Sequence, residues 1–226
     1  MLNLSGIKVL SFDCYGTLID WETGILSALR PLLTRHQIQL ADSDLLQLYG
    51  RFEREAQRNI PFINYRTVLR KVTKSLSKHL GLDVGAREEG VLAESMASWR
   101  PFPDTVAALK ELKSRFWLAI ISNVDDDLFR STQAILEVPF DWAITSEQLG
   151  SYKPSHWNFH SAVTTFGVEP GQHVHVAQSL YHDIAPAHSL GIKTVWVNRQ
   201  GATSTPLIDA VPDLEVPDLE TLARHE

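Results

Sequence analysis

Apolar positions along the first half of the chain change their spacing abruptly. Ile7 to Phe12 is a short apolar run broken by one Lys, and it ends at Asp13. This predicts a buried strand that opens into a loop, where Gly16 permits a tight backbone turn. From Gly24 to about Ala97 the spacing becomes three and four residues. Ile25, Leu26, Leu29, Leu32 and Leu33 form one such series, Leu45, Leu48, Tyr49 and Phe52 a second, and Val68, Leu69, Val72, Leu76 and Leu80 a third. That period predicts helices, with Gly81 placed as a stop. No strand pattern interrupts this stretch.

Pro101-Phe102-Pro103-Asp104 ends the helical segment, and Asp104 is placed to cap a helix over Thr105–Leu112. Beyond it strands and helices alternate. Strands are expected at Trp117–Ile121, Trp142–Thr145, His173–Ala177 and Thr194–Val197. Helices are expected at Asp125–Leu136, from a Ser155 cap to about Phe166, and at Ile184–Leu190. Alternation of this kind predicts an α/β fold built on a parallel sheet. The boundaries that follow are a core of residues 1–20 and 99–226 and a helical insert of residues 21–98.

Ligands of such sheets bind beyond the carboxyl ends of the strands. Asp13, Ser122-Asn123, the region leading to Lys153, and Gln178-Ser179 with Asp183 all fall at those ends. Taken alone, an Asp before Gly-Thr is a loop cap. Together with a Lys that neutralises it, a Ser-Asn pair and a second carboxylate, it reads as a nucleophile.

Composition narrows the classes. The chain has 226 residues, 44% apolar, enough for a real core. A net charge of −6 argues against a nucleic-acid binder, which needs a basic surface. The lone Cys14 rules out an internal disulfide framework, and its place beside Asp13 suits packing on the opposite face. No apolar run spans a bilayer, and the start lacks the pattern of a secretory signal, so a cytoplasmic location is expected. His173 and His175 share a strand face with no third ligand nearby, which argues against a metal site. His182 is either a turn residue or a neighbour of the site. Trp99 and Trp196 read as core or interface. Phe62 and Tyr181 either line an apolar pocket or pack the insert.

Phe12-Asp13-x-x-Gly16-Thr17, Ile121-Ser122-Asn123, Lys153-Pro154 and Val176-Ala177-Gln178-Ser179-Leu180-Tyr181-His182-Asp183 resemble, in order, the four motifs of the haloacid dehalogenase superfamily. The resemblance covers essentially the whole chain. It implies a Rossmann-like parallel sheet with a small helical cap inserted after the first strand. Most members are magnesium-dependent phosphatases. They carry a second Asp two positions after the nucleophile and a metal-binding Asp in the fourth motif. Here those positions are Tyr15 and Gln178. A neutral amide is a poor ligand for a hard cation, so the general acid and one magnesium ligand are missing together.

The Asp-x-Tyr-Gly-Thr form is that of the 2-haloacid dehalogenase branch, where halide leaves without a proton and no metal or cofactor is implied. The resemblance then implies Asp13 as nucleophile, Lys153 as its counter-charge, and Asp183 positioning or deprotonating water. It implies Thr17 and Ser122 orienting carboxylate oxygens, and Tyr15, Asn123 and Ser179 facing the substrate. In the branch's well-known members the fourth motif is one residue shorter and rich in Ser and Asn. Arg51 or Arg54 matches the cap arginine that holds a small anionic acid. The surrounding basic run, Arg51 to Lys78 against only Glu53 and Glu55, otherwise reads as a solvated face. A homodimer would be ordinary for this branch. The rivals are a phosphatase and a non-catalytic acid-binding protein on the same fold.

Overall fold

The computed structural model describes residues 2–58, 61–199 and 209–225. Six strands form one parallel sheet: β1 (Val9–Phe12), β2 (Trp117–Ser122), β3 (Trp142–Thr145), β4 (His173–Ala177), β5 (Lys193–Val197) and β6 (Leu214–Val216), in the order β3-β2-β1-β4-β5-β6. β1 is central, with Phe12 level with Ile120 on one side and Val176 on the other. The strand order reverses beside β1, which opens the crevice where such sheets bind ligands. β6 has too weak a pattern to be expected from the sequence: three residues, of which only Val216 is buried.

Alternate residues of each strand feed two apolar layers. Leu10, Phe12, Leu118, Ile120, Val174 and Val176 pack with α6 (Thr105–Lys113), α7 (Asp126–Leu136) and α11 (Leu219–Ala223). Val9, Ala119, Ile121 and Ile144 pack on the opposite face with α9 (His156–Phe166) and α10 (Ala185–Ser189). The short helix α8 (Ser146–Leu149) follows β3. Asp104 does occupy the position before α6, but its side chain does not cap that helix. Its carboxylate instead accepts both terminal nitrogens of Arg199 at 3.1 Å and the Leu219 N–H at 2.7 Å, a charged pair that outweighs a cap. Arg199 also donates to the Thr17 carbonyl at 3.0 Å, which fixes the loop after β1.

The helical segment between β1 and β2 holds α1 (Trp21–Arg35), α2 (Asp42–Gln57), α3 (Tyr65–His79), α4 (Ala86–Glu89) and α5 (Val91–Ser95). Gly81, at φ +70°, follows α3 in the left-handed conformation expected of a helix stop. The two ends of the segment meet: Ile19 bridges Pro101, and the Asp20 N–H donates to the Arg100 carbonyl at 2.9 Å. Asp125, after β2, accepts the N–H groups of Tyr65 and Arg66 at 2.6 and 2.8 Å, so the first turn of α3 is held from the sheet side. No described helix is long and apolar enough to cross a membrane.

Trp99 is buried and sets a steric limit on α1. A Cβ at Gly24 would lie 2.5 Å from its indole. Gly24→Ala is therefore expected to destabilise the fold by about 1–3 kcal/mol, overriding the helix-propensity gain of about 1 kcal/mol. A urea denaturation midpoint equal to or above that of the wild type would contradict this packing.

Candidate active site

The site grows from the carboxyl end of β1. The Asp13 N–H still donates to the Val176 carbonyl at 3.1 Å, so the residue is fixed by the ladder while its side chain leaves it. Gly16, at φ +97°, turns the chain in a conformation that suits glycine, and a Cβ there would press on the Trp21 indole at 3.0 Å. The turn brings Thr17 back, and its hydroxyl donates to Asp13 Oδ2 at 2.9 Å and accepts the Gln178 N–H at 3.0 Å. One threonine thus ties the first motif to the fourth.

Lys153 is buried, and its ammonium has three acceptors: Asp13 Oδ1 at 2.9 Å, Asp183 Oδ1 at 2.5 Å and the Ile121 carbonyl at 2.7 Å. Burial alone would lower its pKa, but the two carboxylates outweigh that and raise it, so it stays charged. Burial pushes the Asp13 carboxyl up; Lys153 works against this, while Asp183 adds to it. Burial would also raise Asp183, yet Lys153 and His175 pull it down to about 2. A carboxylate of that strength is a weak base near neutral pH. Of the two roles left open by the sequence, positioning suits Asp183 better than deprotonation.

Asn123 clasps the backbone of Lys153 from both sides, accepting its N–H at 2.7 Å and donating to its carbonyl at 3.1 Å. Its amide therefore places the lysine while also bordering the cavity. On the other side of Asp183, His175 Nε2 lies 2.9 Å from Oδ1, and His175 Nδ1 lies 2.8 Å from the Ser11 hydroxyl, which also contacts His173 Nε2 at 2.6 Å. The two histidines do share a strand face. Their partner is a serine level with His175 on β1, a pairing that needs the sheet register to be seen.

A cavity of about 50 Å³ lies over Asp13, walled by Tyr15, Ser122, Asn123, Lys153, Ser179 and Asp183 among the expected residues. The Ser122 hydroxyl is buried and has no hydrogen-bond partner among the described residues. The Tyr15 phenol hydrogen-bonds the Thr132 hydroxyl at 2.8 Å, and burial pushes its pKa well up. Ser179 caps the next turn by accepting the His182 N–H at 3.0 Å. That turn, Leu180–Ile184, is π-helical, and His182 stands on the cavity wall. Burial holds its imidazole down to about 4, so it is neutral.

The two arginines part company. Arg54 lines an adjoining cavity of about 140 Å³ with Gln57, Arg58, Tyr181 and His182. Arg51 borders neither cavity; it is exposed, stacked on Phe52 and 3.9 Å from Glu55. Phe62 packs on Tyr152 rather than lining the site, and Trp99 is core. Cys14 is buried in the core, as expected. Four wall residues were missed by sequence reading: Trp21, Gln57, Tyr65 and, buried beside Tyr65, Glu53 of α2. The signal for Glu53 was present, since it continues the buried positions Leu45 and Tyr49 at four-residue spacing.

The residues do not fit a magnesium ion. Gln178 offers an amide where a carboxylate ligand would stand, and Asp183 Oδ1 is already engaged by Lys153 and His175. Among the described residues no three His, Cys, Asp or Glu side chains cluster to hold a metal.

The model of the haloacid dehalogenase-like hydrolase family matches residues 7–191. The chain is 29% identical over 224 residues to the (S)-2-haloacid dehalogenase H-109 of Pseudomonas putida, covering 94% of this chain and 95% of that one. It is 27% identical over 227 residues to the (S)-2-haloacid dehalogenase of Pseudomonas sp. strain YL, covering 96% and 93%. Its fold matches the solved L-2-haloacid dehalogenase of Xanthobacter autotrophicus with a TM-score of 0.80 at 21% identity, over 96% of this chain and 97% of that one. With the family model spanning most of its length and the four motifs gathered at one sheet edge, the chain belongs to the haloacid dehalogenase-like hydrolases.

Proposed function

We propose that the protein hydrolyses the carbon–halogen bond of small 2-haloacids, giving 2-hydroxy acids through an ester on Asp13. The observation that carries this is a nucleophile without a neighbouring acid. Asp13 is paired with Lys153, while the residue two positions on is a phenol tied to Thr132. Halide needs no proton to leave, whereas the alcohol of a phosphate ester does, and the site lacks the ligand set for the cation that screens phosphate. The dehalogenases of Pseudomonas are similar over nearly the whole chain, which supports the same reading.

In the first step an Asp13 oxygen attacks the substrate carbon. A carbon–oxygen bond forms, the carbon–halogen bond breaks, and its electron pair leaves with the halide. In the second, water attacks the carbonyl carbon of the ester, the bond from that carbon to the substrate oxygen breaks, one water proton passes to the departing oxygen to give the 2-hydroxy acid, the other is released to solvent, and the Asp13 carboxylate is restored. Lys153 and Thr17 hold the two carboxylate oxygens through both steps. Asp183, itself held by His175, anchors Lys153 and borders the water's position. Ser122 offers to a substrate oxygen a hydroxyl that has no partner among the described residues, Ser179 and Asn123 keep the walls in place, and Arg54 draws the anion through the adjoining cavity. Residues 21–98 act as a cap over the core of 1–20 and 99–226, with Tyr15 facing the pocket beneath it. A homodimer accompanies this reading, and light scattering checks it.

Incubation with 2-chloropropionate in EDTA should release chloride. Absence of halide release from every short 2-haloacid, together with magnesium-dependent phosphate release from p-nitrophenyl phosphate, would replace this function with that of a phosphatase.

A further inference from the structure

Glu53 does not belong to the four motifs, yet it forms part of the wall over Asp13. It is buried, and among the described residues its hydrogen-bond partners are phenols. The Tyr65 hydroxyl donates to Oε1 at 2.6 Å, Tyr49 lies 3.5 Å from the same oxygen, and the two phenols are 3.1 Å apart. The phenols come from α2 and α3, so both helices aim this carboxyl at the nucleophile's cavity.

The charge around that cavity makes the placement informative. From the sheet side it is faced by Asp13, Asp183 and the single ammonium of Lys153, together with the neutral His182 and the Tyr15 phenol; Arg54 and Arg58 border only the adjoining space. Two carboxylates already share one cation. An ionised Glu53 would make three, against which an anionic substrate has to enter. A protonated Glu53 removes that repulsion and supplies an O–H donor pointing at the same space.

We propose that Glu53 is a specificity-determining residue that receives the substrate's carboxylate in its protonated form, so that the site admits an anionic acid only while this carboxyl is neutral. The proposal rests on the small-acid reading of the site. Burial raises the Glu53 carboxyl to about 7; Tyr65, Arg54 and Tyr49 pull against this and Asp13 adds to it. Protonated below that value and ionised above it, Glu53 places the change in affinity within reach of ordinary buffers. The sign follows directly. Anion affinity is full below the Glu53 pKa and falls tenfold per pH unit above it.

Isothermal titration with propionate, an inert acid that stays ionised from about pH 6 upward, tests this without any turnover. The expected result is a dissociation constant that is flat below about pH 7 and rises roughly 30-fold by about pH 8.5. In Glu53→Gln, which keeps a donor but cannot ionise, the profile should be flat. In Tyr65→Phe, which removes the hydrogen bond that favours the anion, the break should move to higher pH, so the proposal stays testable if either variant alone misfolds. A pH-independent wild-type constant, or an unchanged slope in Glu53→Gln, overturns the role of Glu53 and leaves the small-acid site standing. Tighter binding at high pH also overturns it, because Glu53 would then recognise a donor group. No propionate binding at any pH overturns both the inference and the reading it rests on.

Discussion

Asp13→Asn abolishes halide release, lowering kcat by roughly 10⁴-fold or more, because the amide oxygen is a poor nucleophile and no other carboxylate takes its place. Asp183 cannot substitute: it is held by Lys153 and His175 at a pKa of about 2, behind the ammonium that separates it from Asp13. The variant should remain folded, since Asn matches Asp in shape and Lys153 keeps Asp183 as a partner. Circular dichroism and steady-state halide assays check both halves. Substantial activity in a folded Asp13→Asn protein would remove the nucleophile from the mechanism.

Lys153→Met has the second large effect, on stability and on chemistry together. The lysine is buried between two carboxylates, and its loss leaves them facing each other with no cation. Removing one partner of a buried ion pair costs about 3–5 kcal/mol. The chemistry shifts in a direction that can be worked out. Lys153 opposes the effect of burial on Asp13, so without it the Asp13 pKa rises further above the ordinary 3.8. The attacking carboxylate then exists only at higher pH. At neutral pH kcat/KM should fall by roughly 10³-fold. The acid limb of the pH profile should move to higher pH, with partial recovery under alkaline conditions. Urea denaturation and a pH–rate profile measure the two effects. A variant as stable as the wild type with an unmoved acid limb would show that Lys153 does not set the charge of Asp13.

Much of this was legible because the sheet imposes the geometry. Once Asp13, Ser122, Lys153 and Asp183 fall at strand ends in a parallel α/β pattern, they have one edge on which to meet. Gly81 and Ser155 follow local rules, and their roles as helix stop and helix cap hold in the structure. What escaped the sequence depends on tertiary partners. Asp104 looks like a cap until Arg199 arrives from 95 positions away. Asn123 looks free for substrate until the Lys153 backbone folds against it. Ser11 and His175 are ordinary strand residues until register puts them side by side.

Glu53 is the instructive omission. In a run dominated by arginine and lysine, a glutamate reads as a counter-charge on a wet surface. Its spacing from Leu45 and Tyr49 placed it on the buried stripe instead. Arg51 shows the converse, a candidate anion holder that the helix turns outward onto Phe52 and Glu55.

The central claim is that Asp13 attacks carbon and carries the substrate as an ester. Rapid acid quenching of the protein with 2-chloropropionate, followed by intact-mass and peptide mass spectrometry, tests it most directly. The account predicts a mass increase equal to that of the substrate acid less hydrogen halide, confined to the peptide that contains Asp13 and absent from Asp13→Asn. Chloride release with no adduct on that peptide, or an adduct on any other residue, would contradict it.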